Sequence, residues 1–249
     1  EVIYQDGLPY YVPQHFGQYD HYTVAEALQI SEKLRALHAI LEGNTDTTNF
    51  TFLDDDWNIE ERAYSALSKW GLSHIRLSEM MRNLSGGEKT KIFLAGTYIH
   101  SPANMLLDEP SNHLDKTGRE LLYDLIKNSN ATVIIVSHDR TLLNLIDIMF
   151  ELTHNQIEVY GGNYEFYKIQ KAEQQEALQS QFEEKQKKLR KARNIARETA
   201  ERKQKRDARG KKDLGDKGIP RIMLNTIRNR AESSAAKLQD AHANKMENI

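Results

Sequence analysis

The fold class of this sequence can be inferred from eleven consecutive residues and the motifs that flank them. These residues are Met105-Leu106-Leu107-Asp108-Glu109-Pro110-Ser111-Asn112-His113-Leu114-Asp115. The largely apolar run 104–107 has the length of a strand and ends at two adjacent carboxylates. A buried parallel strand has this pattern, with its chemistry at the carboxyl end. Asp108 could hold Mg²⁺ there, and Glu109 could orient or deprotonate an attacking water. Taken alone, the pattern is more often a buried strand followed by an acidic turn, so the flanking motifs decide.

A glycine-rich turn precedes the carboxylates and opens a helix. In the motif Leu84-Ser85-Gly86-Gly87-Glu88, the serine is a good helix N-cap. The two glycines allow close backbone approach to an anion at a helix N-terminus. The helix itself is predicted from about Glu88 to His100. By itself, the same pattern is typical of an ordinary capped helix after a Gly-Gly turn.

Two further polar side chains follow predicted strands. A second buried strand, 131–137, ends at His138, a position where histidine is more often structural than catalytic. Gln14 lies just past another short strand. Helices predicted at 116–127 and 140–146 alternate with the strands. This βαβ pattern implies an α/β fold with a parallel sheet and right-handed crossovers.

Taken together and in this order, these motifs resemble the ATP-binding cassette. Gln14 is similar to the Q-loop glutamine, residues 84–88 to the signature motif, and residues 106–109 to the Walker B strand with its catalytic glutamate. Residues 111–115 are similar to the D-loop, and His138 to the switch histidine. The order and spacing of five motifs are far more specific than any one of them.

The particular residues of two motifs narrow the resemblance to the ABC-F subfamily, whose members are soluble and act on ribosomes. The signature ends in Glu88, where transporters usually have Gln, and the carboxylates stand in Asp-Glu-Pro-Ser-Asn-His-Leu-Asp. Ser111 departs from the more usual Thr. The resemblance covers essentially the whole chain, and it implies a cytoplasmic, ribosome-associated protein without a membrane partner.

The resemblance also implies two composite ATP sites. In one, Asp108 and Gln14 help to hold Mg²⁺. Glu109 positions or activates water there, and His138 contacts the γ-phosphate. In the other, the signature closes over ATP held by a second cassette of the same full-length chain. The ATP-binding residues implied are Gln14, Ser85, Gly86, Gly87, Glu88 and Asp115. ATP would hold the cassettes together, and hydrolysis would release them.

The phosphate loop of the first site is not in this sequence, because no Gly-x-x-x-x-Gly-Lys-[Ser/Thr] occurs in it. In the family that loop lies before Gln14, and a second cassette would follow Ile249. We therefore expect the 249-residue chain to hydrolyse no ATP above background by itself. Measurable turnover by the isolated chain that is lost in a Glu109 variant would contradict this expectation.

Composition separates the chain into an acidic and a basic part. The sequence has no cysteine, which excludes a disulfide framework and thiolate metal sites. No apolar run approaches the roughly 18 residues of a membrane span. The net charge of −2 conceals 22 Lys+Arg against 13 Asp+Glu in residues 163–249, and 12 against 23 in residues 1–162. A polyanionic partner is expected for the basic part.

The basic part is predicted to be a long antiparallel helical hairpin. Residues 163–209 contain no Gly or Pro, and small or apolar residues recur at nearly heptad spacing. Residues 210–220 form a turn region, and a second helix is predicted from about Arg221. The alternative is a solvated coiled coil without a partner. Against it, residues 187–212 hold 13 Lys+Arg and only 3 Asp+Glu.

The resemblance supports RNA as the partner of this arm. The linker between the two ABC-F cassettes is a helical hairpin that contacts tRNA and ribosomal RNA, and residues 163–249 match it in position, length and charge. Recognition through shape and phosphates is expected, since no code for bases is visible. The residues predicted to bind RNA are Arg202, Lys203, Lys205, Arg206, Arg209, Lys211 and Lys212.

The predicted organisation is therefore a partial cassette, residues 1–162, followed by the linker. Within the cassette, residues 24–100 are expected to form a helical subdomain that carries the signature. Its helices are predicted at 23–41, 58–70 and 73–81, with a polar connection at 43–56. Two strand hairpins are also predicted, around Asp6-Gly7 and around His154-Asn155.

Two other classes of protein remain open on these residues. One is the ATPase subunit of a membrane transporter, which the cassette motifs favour and the long basic hairpin disfavours. The other is a chromosome- or repair-type ATPase with a coiled coil. In that class the coil is inserted before the signature, whereas here it follows the whole cassette. The role within ABC-F, translation factor or antibiotic protection, is left open.

Overall fold

The computed structural model describes residues 8–215 and residue 237. The chain separates into two compact units, Glu1–Tyr167 and Lys168–Ile249. The helices are α1 Val24–Ala27, α2 Ser31–Leu41, α3 Thr47–Leu53, α4 Ile59–Lys69, α5 Gly86–His100, α6 Lys116–Lys127, α7 Arg140–Leu143 and α8 Tyr164–Gly215. The strands are β1 Tyr10–Val12, β2 Asn104–Asp108, β3 Thr132–Val136, β4 Ile148–Leu152 and β5 Ile157–Gly161.

The sheet that bears the candidate site is parallel, as predicted. Its order is β1-β2-β3, and both strand pairs run in the same direction. The prediction of β3 as a buried strand is wrong for one face: Ile134 and Val136 are exposed in the described structure. In that structure β3 pairs only with β2, so one of its faces has no covering layer. Strands β4 and β5 form the predicted antiparallel hairpin.

The first predicted hairpin cannot be followed, because its first strand lies outside the described residues. Its second strand is β1, which pairs parallel with β2. The second helix of the basic arm, from about Arg221, and residues 216–220 of the predicted turn also lie outside. The prediction of a turn is wrong for residues 210–215, because α8 continues through them to Gly215. The first helix of the arm, α8, is 52 residues long. In the described part of the chain, no helix is both long and apolar enough to cross a membrane.

The prediction of one helix over 23–41 is wrong. Thr23 and Glu26 form the predicted capping box, but the helix stops after one turn. Gln29 has a left-handed backbone, with φ of 59°. The N–H of Ile30 donates to the carbonyl of Ala25 at 2.9 Å. This i to i−5 hydrogen bond closes α1 in the manner of a helix C-cap and lets α2 start in a new direction.

Two further predictions in the helical subdomain are wrong. The polar connection at 43–56 contains α3, whose N-cap Asp46 accepts a hydrogen bond from the N–H of Thr48. The helix predicted at 73–81 is a series of turns. Carbonyl groups of this segment, those of Leu77 and Glu79, accept hydrogen bonds from the first turn of α1. Backbone groups used in this way are not available for a helix of their own. Helix α7 also ends earlier than predicted, at Leu143.

Helix α5 is the centre of the core and is buried along most of its length. Tyr10 of β1 reaches across it and donates its hydroxyl to the carbonyl of Phe93 at 2.9 Å. The ring passes over Gly96, where an added Cβ would lie 1.8 Å from the Tyr10 hydroxyl oxygen. Only glycine leaves room for this contact, which ties the sheet to the helix that carries the signature.

We expect Gly96→Ala to lower the free energy of unfolding of this domain by about 2–3 kcal/mol, because the methyl group overpacks the core. Denaturant unfolding of the two proteins measures the difference. Gly17→Ala is the matched control, since a Cβ at Gly17 meets nothing within 4 Å. Equal loss of stability in both variants would show that the Tyr10 contact is not the cause.

Candidate active site

Three strand ends bring the candidate catalytic residues to one edge of the sheet. Strands β1 and β2 pair through Val12 and Leu107, and β2 and β3 through Asp108 and Val136. The residues that follow these pairs are Gln14, Glu109 and His138. Parallel strands therefore place side chains that are far apart in the sequence on the same edge, as the motif order predicts.

Glu109 is the most constrained of these residues. It has a left-handed backbone, with φ of 48°, and its N–H donates to the carbonyl of Val136 at 2.8 Å. Oε2 lies 2.8 Å from Nδ1 of His138. The contact is an ion pair only when His138 is protonated, and buried Oε2 accepts no hydrogen bond of good geometry from the described residues. A strained backbone and an unsatisfied buried acceptor at one residue are features of functional sites.

The two partners of this contact differ in access to solvent. The side chain of Glu109 is 16% exposed and that of His138 is 76% exposed. Glu109 is thus a carboxylate held at the wall of the site, whereas His138 is free to meet a ligand from solvent. A water held at the open face of the site would donate a hydrogen bond to Oε2 beside the His138 contact.

Asp108 lies on the other side of the strand end, beside a shallow depression of about 340 Å³ whose lining includes Gln14 and Tyr11. The Tyr11 hydroxyl donates to Oδ2 of Asp108 at 3.4 Å. Burial, and next the Asp108 charge, raise the pKa of Tyr11. One carboxylate and one amide facing the same open space fit Mg²⁺, which takes few protein ligands and completes its shell with water and phosphate oxygens. No group of three or more metal-ligating side chains occurs among the described residues.

The signature motif forms the N-terminus of α5. The Ser85 hydroxyl donates to Oε2 of Glu88 at 2.7 Å, and the Ser85 N–H donates to the same oxygen at 2.8 Å. Hydrogen bonds from the hydroxyl and the backbone of Ser85 lower the pKa of Glu88, with a smaller contribution from His74. The glutamate at the fifth signature position therefore fixes the serine and the helix start in a capping box.

The signature glycines pack against the loop 111–115. A Cβ at Gly87 would lie 2.7 Å from the carbonyl oxygen of His113, and one at Gly86 would lie 3.3 Å from its ring. His113 itself has a left-handed backbone, with φ of 63°. The N–H of Asn112 donates to the carbonyl of Glu109 at 3.0 Å. The loop therefore connects Glu109 to the signature, and its backbone approaches Gly87 so closely that only glycine fits there.

Asp115 lies at the end of this loop and is engaged within the domain. Its carboxylate caps α6, where Oδ1 accepts from the N–H of Gly118 at 3.1 Å. The same oxygen lies 3.0 Å from Nζ of Lys91. The hydrogen bond from Lys91, and next that from Gly118, lower the pKa of Asp115. Its ATP-binding role stays a prediction.

The residues predicted to bind RNA lie on α8, in the second unit. Arg202, Lys205, Arg206 and Arg209 are exposed, and Lys203 is half-buried. Lys211 and Lys212 lie in the last turns of the same helix. Charged side chains held out from one helix are available to a polyanion.

Sequence reasoning missed Tyr11 and His74 as neighbours of the site. Tyr11 pairs with Leu106 in the register of β1 and β2, and Asp108 lies two residues further on the same face. The period of two in a strand could have indicated this contact. His74, which contacts Glu88, belongs to a turn segment without a comparable signal.

Comparison with known proteins matches two segments of the chain to families with the same description. Residues 9–112 match a family model described as ABC transporter, and residues 150–219 match a second model with the same description. Over these residues the chain is therefore similar to the ATP-binding domain of ABC transporters.

Individual relatives are similar to only part of the chain. The probable ATP-binding protein YheS of Escherichia coli (strain K12) is 30% identical over 167 residues, 66% of this chain and 26% of the relative. The erythromycin resistance ATP-binding protein MsrA of Staphylococcus epidermidis is 34% identical over 149 residues, 59% of this chain and 30% of the relative. This chain thus spans less than a third of the length of these curated relatives.

A solved structure described as the ATP-binding subunit of an ABC transporter aligns with a TM-score of 0.47 and 20% identity. The alignment covers 66% of this chain and 62% of the chain in the solved structure. The assignment of the domain rests on the family matches and the site, and not on this likeness.

Proposed function

We propose that this chain is part of an ABC-F type ATPase that acts on the ribosome. ATP-driven closure of its cassettes would position the basic arm near tRNA and ribosomal RNA. The observation that carries the proposal is the basic stretch 187–212, with 13 Lys+Arg and 3 Asp+Glu, on a helix that follows the ATP-binding domain in the chain. The coupling of a transporter subunit to its membrane domain does not require such a helix, whereas RNA phosphates would neutralise its charge.

Similarity to MsrA supports a protective role, since the name of that relative records erythromycin resistance. Similarity to YheS is neutral on this point, because its name records only ATP binding. The cytoplasm is the compartment in which a ribosomal partner would be met.

The chemistry proposed for the site follows from the two faces of the strand end. Asp108 and Gln14 face the depression and would hold Mg²⁺ with the ATP phosphates. Glu109 would accept a hydrogen bond from the attacking water through the unsatisfied Oε2. His138, largely exposed, would contact the γ-phosphate. When bound, the metal supplies charge neutralisation of the phosphates.

The second half of the proposal concerns the signature. Ser85, Gly86 and Gly87 would close over ATP held by a second cassette, at the N-terminus of α5, where backbone N–H groups favour anions. The capping box with Glu88 keeps this terminus ordered before ATP arrives. Because His113 packs on the glycines, closure at the signature would displace the loop that follows Glu109.

A fractionation experiment separates this function from the transporter alternative, which the description of both family matches favours. Cells that express the full-length protein are lysed, and the protein is followed in the membrane fraction and in ribosomes pelleted through sucrose. We expect it with ribosomes when a non-hydrolysable ATP analogue is present. Recovery with membranes, and none with ribosomes, would establish the transporter reading instead.

A further inference from the structure

Helix α3 and the loop that follows it carry a pair of exposed aromatic rings. Phe50 and Trp57 lie edge to face with their ring centroids 6.4 Å apart. Phe50 is 45% and Trp57 is 47% exposed, whereas the other tryptophan of the chain, Trp70, is 2% exposed. Rings paired with each other and half in water are typical of interaction surfaces, where aromatic residues are enriched.

The backbone between the rings has an uncommon conformation and is anchored to neighbouring side chains. Asp54 and Asp55 are both left-handed, with φ of 49° and 55°, a conformation that residues other than glycine seldom adopt. Asp56 fixes the loop to its neighbours: its Oδ2 lies 3.2 Å from Nζ of Lys33 and 2.7 Å from Nη2 of Arg62. Although partial burial acts to raise it, the pKa of Asp56 is lowered by the hydrogen bonds from Arg62 and Lys33.

The charge around the rings has one sign. Residues 42–61 contain seven Asp and Glu and no Lys or Arg. Three of the acids have partners, because Asp46 caps α3, Asp56 is clamped as described, and Glu60 contacts His38 at 3.1 Å. Asp54 and Asp55 are exposed and have no side-chain partner among the described residues. The phosphates of a nucleic acid would be repelled by this surface.

We propose that Phe50, Asp54, Asp55 and Trp57 form a docking site for an arginine- or lysine-containing segment of a partner protein. A guanidinium or ammonium group stacks on the exposed face of Trp57 and donates hydrogen bonds to the two unpaired carboxylates. The rigid loop presents both kinds of contact before binding, so little conformational freedom is lost. The site belongs to the helical subdomain and does not depend on the ribosomal role proposed above.

The experiment uses the 249-residue chain and a short synthetic peptide of alternating Arg and Gly. A peptide with Gln in place of Arg is the control. Because Trp70 is buried, quenching of tryptophan fluorescence by acrylamide reports on Trp57. We expect the Arg peptide to protect Trp57 from quenching, the Gln peptide to leave it unprotected, and the affinity to fall as salt is added. Equal protection by both peptides would overturn the proposal.

Two variants test the two halves of the site, and titration calorimetry reads both. Asp54→Asn with Asp55→Asn removes the charges but keeps size, and Asn tolerates the left-handed backbone; we expect binding weaker by about tenfold or more. Trp57→Leu should weaken it by about threefold to thirtyfold. Glu120→Gln with Asp147→Asn removes two exposed acids elsewhere on the same unit and should leave the affinity unchanged.

Circular dichroism verifies that each variant is folded, and the Asn double variant carries the test if Trp57→Leu is not. Unchanged affinity in the Asn double variant would overturn the proposal. Self-association of the chain that disappears in this variant would assign the surface to the basic arm of a second copy, and would overturn the partner assigned here.

Discussion

Glu109→Gln is expected to slow ATP hydrolysis at this site by about 10²- to 10⁴-fold in the full-length protein, the usual contribution of a positioned general base. Gln keeps the size of the side chain and its demand on the left-handed backbone, but the atom at the position of buried Oε2 no longer carries a charge. ATP should still bind, so the cassettes should stay closed and the protein should remain on ribosomes.

The measurement is phosphate release by the purified full-length protein, in a background whose second cassette is already inactivated. Glu120→Gln is the matched control, because it makes the same chemical change on an exposed residue of α6 and should leave turnover unchanged. Turnover of Glu109→Gln at the parent rate would rule out the role assigned to Glu109. Loss of ATP binding together with turnover would indicate a folding defect instead.

The sheet and its site were predictable because each rests on local signals that point the same way. Helix α6 begins and ends at the predicted residues, since Asp115 caps it and its apolar face repeats with helical spacing. The carboxylates after β2 follow from an apolar run that ends abruptly. What the sequence could not show is the left-handed backbone of Glu109 and its contact with His138. Both depend on the pairing of β2 with β3.

The helical subdomain was harder to predict because its interruptions are tertiary. Gln29 is not a typical helix breaker, and the break between α1 and α2 is specified by hydrogen bonds around Ile30. Segment 73–81 has a helix-like composition, but its carbonyl groups serve α1. Helix α3 had a local signal, the N-cap Asp46, which lies within a polar stretch and is easily read as loop. Exposed Phe50 and Trp57 belong to this poorly predicted region.

The basic arm gives the second large effect. Changing Arg202, Lys203, Lys205 and Arg206 together to Gln keeps helix propensity and removes four positive charges. Each lost phosphate contact makes the slope of log affinity against log salt shallower by about 0.7–0.9. If the arm binds RNA phosphates, four lost contacts should weaken ribosome binding at about 0.1 M salt by roughly 600- to 4,000-fold. Sedimentation with ribosomes across a salt series measures both quantities.

The control removes four positive charges from the other unit, by changing exposed Arg35, Lys116, Arg119 and Lys127 to Gln. This control variant should bind ribosomes with the affinity and the salt slope of the parent. The ion pair of Arg202 with Glu198, at 3.9 Å between exposed side chains, contributes at most about 0.5 kcal/mol. The melting temperature of the ATP-binding domain should therefore be unchanged by the arm variant. If the salt slope of the arm variant equals that of the parent, the arm is a spacer. A helix that contacts no phosphate releases no counterions when the ribosome is bound, so removing its charges leaves the slope unchanged.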